Sequence, residues 1–329
     1  MTMSRTGAAL ATLICVAGWA ADAPSAWAGP ADDYPNRAVR MIVPFPPGGS
    51  TDNVGRVVAQ RLQEVMGQPF VIDNRPGAGA AIGVDATAKA PPDGYTITML
   101  TTASVTINPH LTKLPYDPFR DLVPVSLASI GWMAMAVNND LPARSVQDVI
   151  KLAKAKPGSL NFGSPGNGTI SQMYGEVFKL SAGIDIVHVP YKGSGPAMTD
   201  LMGGQIQLFF ESAVLPHVLA GKMRAVGVAN EQRWPAIPDV PTFDEQGVSG
   251  MNELQTWFGV MAPAATPPEI VDKLAAAMTK LLAEKAVAER FDAVGMFPAP
   301  LVKEKFAEKI RADYERYGKL IARAGIKLE

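Results

Sequence analysis

Three times in this chain a short apolar run breaks into a glycine-containing turn that opens onto a helical pattern. The turns are Pro46–Asp52, Ser164–Thr169 and Tyr191–Gly195. Strand, tight turn, helix and strand again is the signature of a parallel sheet with right-handed crossovers. The first unit sets the pattern. Val39–Val43 is an apolar strand; Pro44, Pro46, Pro47, Gly48 and Gly49 make a stiff loop. Ser50, Thr51 and Asp52 supply N-cap chemistry for a helix over Asn53–Met66, with Val54, Val57, Val58, Leu62 and Val65 at helical spacing. Pro69–Asp73 is a second strand, Ala80–Ala90 a helix entered through a glycine loop, and Tyr95–Thr101 a third, β-branched strand.

Thr102–Phe119 has no periodicity and is expected to be irregular. Leu122–Ile130 and Met133–Val137 are apolar runs. Then the same grammar returns, with strands at Leu160–Gly163, Ile184–Val189, Gln205–Phe210 and Met223–Ala229. Helices are expected at Ser145–Ala155, Ile170–Leu180, Pro196–Met202 and Val214–Ala220. Trp257–Ala262 reads as the last strand. Helices follow from Pro267-Pro268 to about Ala283, over Ala286–Val294 and over Val302–Ala324.

In an open parallel sheet such turns lie at the carboxyl ends of strands, where ligands bind. Helix N-termini there offer unpaired N–H groups and the positive end of the dipole, which suits an anion. Nucleotide phosphate does not fit: PFPPGGSTD has no lysine, and it has two adjacent prolines that cannot donate N–H. The dinucleotide fingerprint is also missing, since after Gly77-Ala78-Gly79 the third glycine, Gly83, comes one position late. Catalysis finds little support. His110, His188 and His217 form no metal spacing, and there is no G-x-S-x-G elbow. His188, inside IVHVPY, reads as a packed, hydrogen-bonded histidine rather than a base. The ordinary role of Asp52 is helix capping; Lys192 could pair with an anion or stand in solvent. Trp132, Trp234 and Trp257 read as packing residues.

At 329 residues, with Lys plus Arg at 30, Asp plus Glu at 31 and a net charge of −1, the chain suits two domains and no broad nucleic-acid binding. Residues 1–28 have the pattern of a secretory signal: Arg5, an apolar run over Ala8–Ala20, and a cleavage site at Ala26-Trp27-Ala28. The run is short for a membrane span. The only cysteine, Cys15, falls inside it, so the mature chain would carry no thiol chemistry.

Eight ordered stretches carry a resemblance: YPNRAVRMIVPFPPGGSTD, IDNRPGAGAAIG, PPDGYTITM, LNFGSPGNGT, VHVPYKGSGPAMTDLMGGQIQ, GKMRAVGVAN, PDVPTFDEQG and Trp257–Pro267. They resemble the Bug, or TctC, family of extracytoplasmic solute receptors from Tyr34 to about Gly295. The resemblance implies an α/β protein of the type II periplasmic binding class, with a ligand cleft between two lobes. Lobe I would comprise 29–128 plus 228–329, and lobe II 129–227. It implies a periplasmic monomer without cofactor or metal, binding a small organic carboxylate (aromatic acid, dicarboxylate or amide analogue) for membrane permease subunits of a tripartite tricarboxylate-type transporter. An exported ester hydrolase and a ligand sensor are the alternatives. One loop per lobe would grip the carboxylate. Ser50, Thr51 and Thr169 would act as donors, with Gly49, Gly166 and Gly168 as backbone positions. Phe45, Asp52, Ser164 and Tyr191 complete the expected site, while Thr102, Ser104 and Glu211 fall where the family varies its selectivity. Two departures stand out. Ser171-Gln172-Met173 replaces the usual Ser-His-Leu, and Glu211 stands where Asp or a neutral residue is commoner. An acidic Glu211 in the cleft would repel a second ligand carboxylate unless it is protonated or faces a cation, so either the far end of the ligand is neutral or cationic or Glu211 points away.

Overall fold

The computed structural model describes residues 33–326, so the signal reading over 1–28 and Cys15 lie outside the described residues. The first part of the chain runs β1 (Val39–Val43), α1 (Ser50–Met66), β2 (Phe70–Asn74), α2 (Ala81–Ala88) and β3 (Thr96–Thr101). Two short helices, α3 (Thr102–Thr106) and α4 (Asn108–Leu111), lead to β4 (Leu122–Gly131). The middle part is β5 (Ala134–Val137), α5 (Val146–Ala155), β6 (Asn161–Ser164), α6 (Ile170–Ala182), β7 (Val187–Pro190), α7 (Ser194–Met202), β8 (Leu208–Glu211), α8 (Leu215–Leu219) and β9 (Arg224–Val228). The chain then gives β10 (Trp257–Pro263), α9 (Pro268–Leu282), α10 (Lys285–Asp292), β11 (Met296–Val302) and α11 (Lys303–Ala324). No helix among the described residues is long and apolar enough to cross a membrane.

These strands form two sheets, ordered β11-β4-β10-β3-β1-β2 and β7-β6-β8-β5-β9. Each contains the expected parallel triplet, β2-β1-β3 in one and β7-β6-β8 in the other. Each triplet is continued by an antiparallel strand, β10 beside β3 and β5 beside β8. That strand is in both cases the one the chain reaches on arriving from the other sheet. The two crossings are tied to each other: Ala229 N donates to Met133 O at 2.7 Å, and Gly131 N to Thr256 O at 2.8 Å.

Helices cover both faces of each sheet, as a parallel sheet buried on both sides requires. On one face of the six-stranded sheet, Val54, Val57, Val58 and Leu62 of α1 pack with Ile270, Leu274 and Met278 of α9. This is the apolar stripe read from the sequence. On the opposite face Val84 of α2 packs with Phe306 and Ile310 of α11. The far end of the same helix, Tyr317, Leu320 and Ile321, belongs to a different core, with Phe162, Phe178 and Phe210 of the five-stranded sheet and its cover. α11 therefore braces both sheets. Trp234 and Trp257 are fully buried, and Trp132 stacks on Trp234 with centroids 6.2 Å apart.

Apart from shifts of a few residues at element ends, three features differ from expectation, each for a physical reason. α1 begins at Ser50, and Gly49 in an extended conformation is the N-cap; the three polar residues form the first helical turn. Within 102–119, α3 is wholly buried and rich in Thr, so it shows no amphipathic stripe, and α4 starts with proline at its first turn. β11 was hidden because Pro298 and Pro300 cannot feed a ladder. It lies at the sheet edge, where prolines are tolerated, and its pairing with β4 is irregular between Pro298 and Leu301.

Candidate functional site

The three glycine turns meet. In the first, Gly48 has φ +88, a conformation that costs glycine nothing, and its N–H is held by Asp52 Oδ2 at 3.0 Å. Asp52 also accepts from Arg56 Nε at 2.8 Å and from Asn74 Nδ2 at 2.9 Å; Asn74 in turn donates to Phe45 O at 3.0 Å. Burial pushes the Asp52 carboxyl upward, but the bonds from Arg56, Asn74 and Gly48 outweigh it and hold the group below its ordinary range. Asp52 is thus the staple of the loop and the acid of the first helical turn.

In the second turn Thr169 Oγ1 donates to Gly166 O at 2.7 Å, and Gly168 N donates to Gln172 Oε1 at 2.7 Å. A Cβ on Gly168 would stand 2.2 Å from Asn108 Oδ1, so only glycine fits beside α4. Asn108 Nδ2 donates to Gly79 O at 2.7 Å, which joins the second turn to the loop before α2. In the third turn a Cβ on Gly193 would lie 3.0 Å from Pro46 of the first. A Cβ on Gly49 would stand 3.4 Å from Ser194 Oγ, at ordinary van der Waals range.

Between the turns is a partly open cavity of about 40 Å³. Phe45, Pro46, Gly49, Ser50, Thr51, Thr101 and Phe258 line it from the six-stranded side. Pro165, Thr169, Ile170, Ser171, Gly193, Ser194 and Glu211 line it from the other, and Thr256 from the crossing segment. Among the described residues that line it, none is lysine, arginine or histidine. α1, α6 and α7 all begin at this cavity, with Ser50, Ile170 and Ser194 as their first residues. Helix geometry leaves the leading N–H groups of each without an intrahelical acceptor, and the three dipoles point their positive ends inward. Thr256 Oγ1 is buried without a hydrogen-bond partner among the described residues. An outer cavity of about 500 Å³ shares Phe45, Pro46, Pro165 and Gly193 with the inner one and adds Gly166, Tyr191 and Lys192.

Glu211 dominates the inner cavity. Its Oε1 accepts from Ser50 Oγ at 2.6 Å and from Ser212 N at 2.8 Å, and its Oε2 accepts from Ser194 Oγ at 2.8 Å. One carboxylate thus ties the start of α1 to the start of α7.

Of the expected site residues, Phe45, Gly49, Ser50, Thr51, Thr169 and Glu211 come together at the inner cavity, and Gly166 and Tyr191 at the outer one. The hydroxyl protons of Ser50 and Thr169 are spent on Glu211 and Gly166 O, so the donors left are mainly backbone N–H groups. Thr102 faces away: its Oγ1 accepts from Trp257 N at 2.8 Å and pins the crossing. Ser104 lies behind Thr101, at 3.1 Å. Gly168 and Asp52 shape the loops without lining either cavity. Thr101, Ser171, Ser194 and Thr256 were missed. Ser194 was legible: Gly193-Ser194 repeats Gly49-Ser50 at a helix start.

Ser164 lies beneath the loop, fully buried, its Oγ 2.7 Å from His188 Nε2. This is the hydrogen-bonded histidine that the apolar strand suggested. Burial first, and then the charge of Lys179, push the His188 imidazole from 6.5 down to about 4. Between those values the unfolded chain takes up a proton that folded His188 refuses, so stability falls as pH drops through the window. Thermal midpoints measured at pH ~7 and ~5 should fall more for the natural chain than for His188→Gln. An equal fall in both would remove this role.

Two α/β sheets joined by paired crossings, with helix N-termini converging on the cleft between them, define a type II periplasmic binding protein. The family model described as tripartite tricarboxylate transporter family receptor (TctC) matches residues 54–326, and the chain belongs to that family of solute receptors, which includes the Bug proteins. Protein BugT of Bordetella pertussis is 38% identical over 334 residues, covering 100% of both chains. The structure of periplasmic binding protein BugD matches with a TM-score of 0.85 and 32% identity, over 90% of this chain and 100% of that one. R. palustris Rpa4515 with adipate matches with a TM-score of 0.87 and 35% identity, over 90% and 99%.

Proposed function

We propose that the chain is a periplasmic, monomeric receptor that captures a small organic carboxylate without covalent chemistry and presents it to membrane permease subunits of a tripartite tricarboxylate-type transporter. The observation that carries this reading is the convergence of three helix N-termini on one cavity whose described lining includes no cationic side chain. Oriented N–H dipoles hold an anion selectively and let it go again, which suits capture and delivery. The adipate bound by Rpa4515 supports a carboxylate, and the signal-like pattern of residues 1–28 supports export. We take 29–128 with 228–329 as one lobe and 129–227 as the other. The paired crossings near Met133 and Ala229 then form the hinge, and ligand selects the closed arrangement.

The ester-hydrolase reading has one observation in its favour, the Ser164–His188 contact. Ser164 is buried, holds Gly166 through both its lone pair and its proton, and lines neither cavity, so it has no access to an ester. The test is a thermal-shift screen of aromatic acids, dicarboxylates and their amides, followed by calorimetry and product analysis. A ligand present at about 100 times its Kd stabilises the folded state by about 2.7 kcal/mol, a clear rise in melting temperature. At least one carboxylate should raise it and be recovered unchanged. Stabilisation by none, or turnover of the one that binds, would overturn the reading.

A further inference from the structure

We infer that Glu211 sets the charge of the ligand, so that the cleft takes a monocarboxylate whose far end carries a hydrogen-bond donor (an amide, ammonium or hydroxyl group) in preference to a dicarboxylate. The inference rests on the carboxylate reading above and narrows it.

The first ground is charge. Three helix N-termini carry about half a positive charge each, roughly +1.5 in all. Glu211, 5% exposed, places a carboxylate in the same cavity. Glu211 leaves about +0.5 of that, so one ligand carboxylate brings the cavity to about −0.5, and a second would bring it to about −1.5 in a space whose described lining holds no lysine or arginine.

The second ground is hydrogen-bond valence. A carboxylate offers about four acceptor positions. Ser50, Ser212 and Ser194 fill three of those on Glu211, which leaves one, on Oε2. Because Ser50 and Ser194 both give their protons to Glu211, their hydroxyl oxygens have only lone pairs left to offer. This part of the cavity therefore asks for a donor. A ligand N–H or O–H meets that demand; a second carboxylate meets an acceptor with an acceptor. The leading N–H groups of α1 and α6 supply the opposite polarity for the ligand's own carboxylate.

The test compares succinate with succinamate and adipate with adipamate, pairs that differ at one end only, by calorimetry on the natural chain and on Glu211→Gln. The natural chain should bind the monoamide of at least one pair about tenfold or more tighter than the diacid. Glu211→Gln should erase or reverse that ratio. A purely structural role for Glu211 would weaken both members of a pair alike and leave the ratio unchanged. The comparison within the natural chain stands even if the variant folds poorly. Equal or tighter binding of the diacids by the natural chain, or an unaltered ratio in Glu211→Gln, overturns the inference and leaves the carboxylate reading standing. If none of these compounds binds, and benzoate also leaves the melting temperature unchanged, the carboxylate reading fails and the inference falls with it.

Discussion

Thr51→Asp should weaken carboxylate binding by about 100-fold, or about 2.7 kcal/mol, and leave the ligand-free protein folded with an unchanged or slightly raised melting temperature. Thr51 is the second residue of α1, is buried and lines the inner cavity. An acidic residue in a first helical turn is favourable for the helix, by about 0.3–1 kcal/mol. The same carboxylate would stand beside the N–H groups proposed to hold the ligand. Folding and binding are therefore expected to move in opposite directions, which separates a lost site from a lost fold. Calorimetry with any ligand found in the screen, together with the ligand-free melting temperature, checks both. Undiminished affinity in Thr51→Asp would show that the ligand carboxylate binds elsewhere.

The second large effect concerns the brace. Asp313 of α11, 4% exposed, accepts from Trp257 Nε1 at 2.7 Å and from Arg316 at 2.9 Å, with Lys309 Nζ at 3.1 Å. Lys309 also donates to Gln255 Oε1 at 2.6 Å, and Tyr317 OH accepts from Gln255 N at 2.9 Å. The cluster fixes α11 against the end of the second crossing. Asp313→Ala strands the indole N–H and leaves Lys309, still bonded to Gln255, without its counter-ion, and should cost about 3–5 kcal/mol of unfolding free energy. Asp313→Asn keeps an acceptor for Trp257 and should cost less. Urea unfolding of both variants measures the difference. A loss below about 1 kcal/mol in Asp313→Ala would mean that the cluster is solvated rather than structural.

Local chemistry made much of the fold readable. The stripe of Val54, Val57, Val58 and Leu62, the glycine turns and the β-branched strands were each declared within a few neighbouring residues, and each element formed. The miss at β11 came from prolines that only an edge position tolerates, a fact of the sheet rather than of the segment. The site was legible as three loops, because a glycine beside a hydroxyl residue at a helix start has a local signature. Its polarity was not. Ser50 finds Glu211 across 161 positions of sequence, and only that contact shows that the serine proton is already committed. Thr101 rather than Thr102 or Ser104 lines the cavity; the helix begins at Thr102, and its Oγ1 turns to Trp257 N.

The most direct measurement is a crystal structure of the protein with the carboxylate that stabilises it most. The ligand's carboxylate oxygens should lie about 2.7–3.2 Å from leading N–H groups of α1 and α6, inside the cleft between the two sheets. A ligand bound outside that cleft, or a carboxylate paired with a lysine or arginine while those N–H groups face only water, would contradict the account.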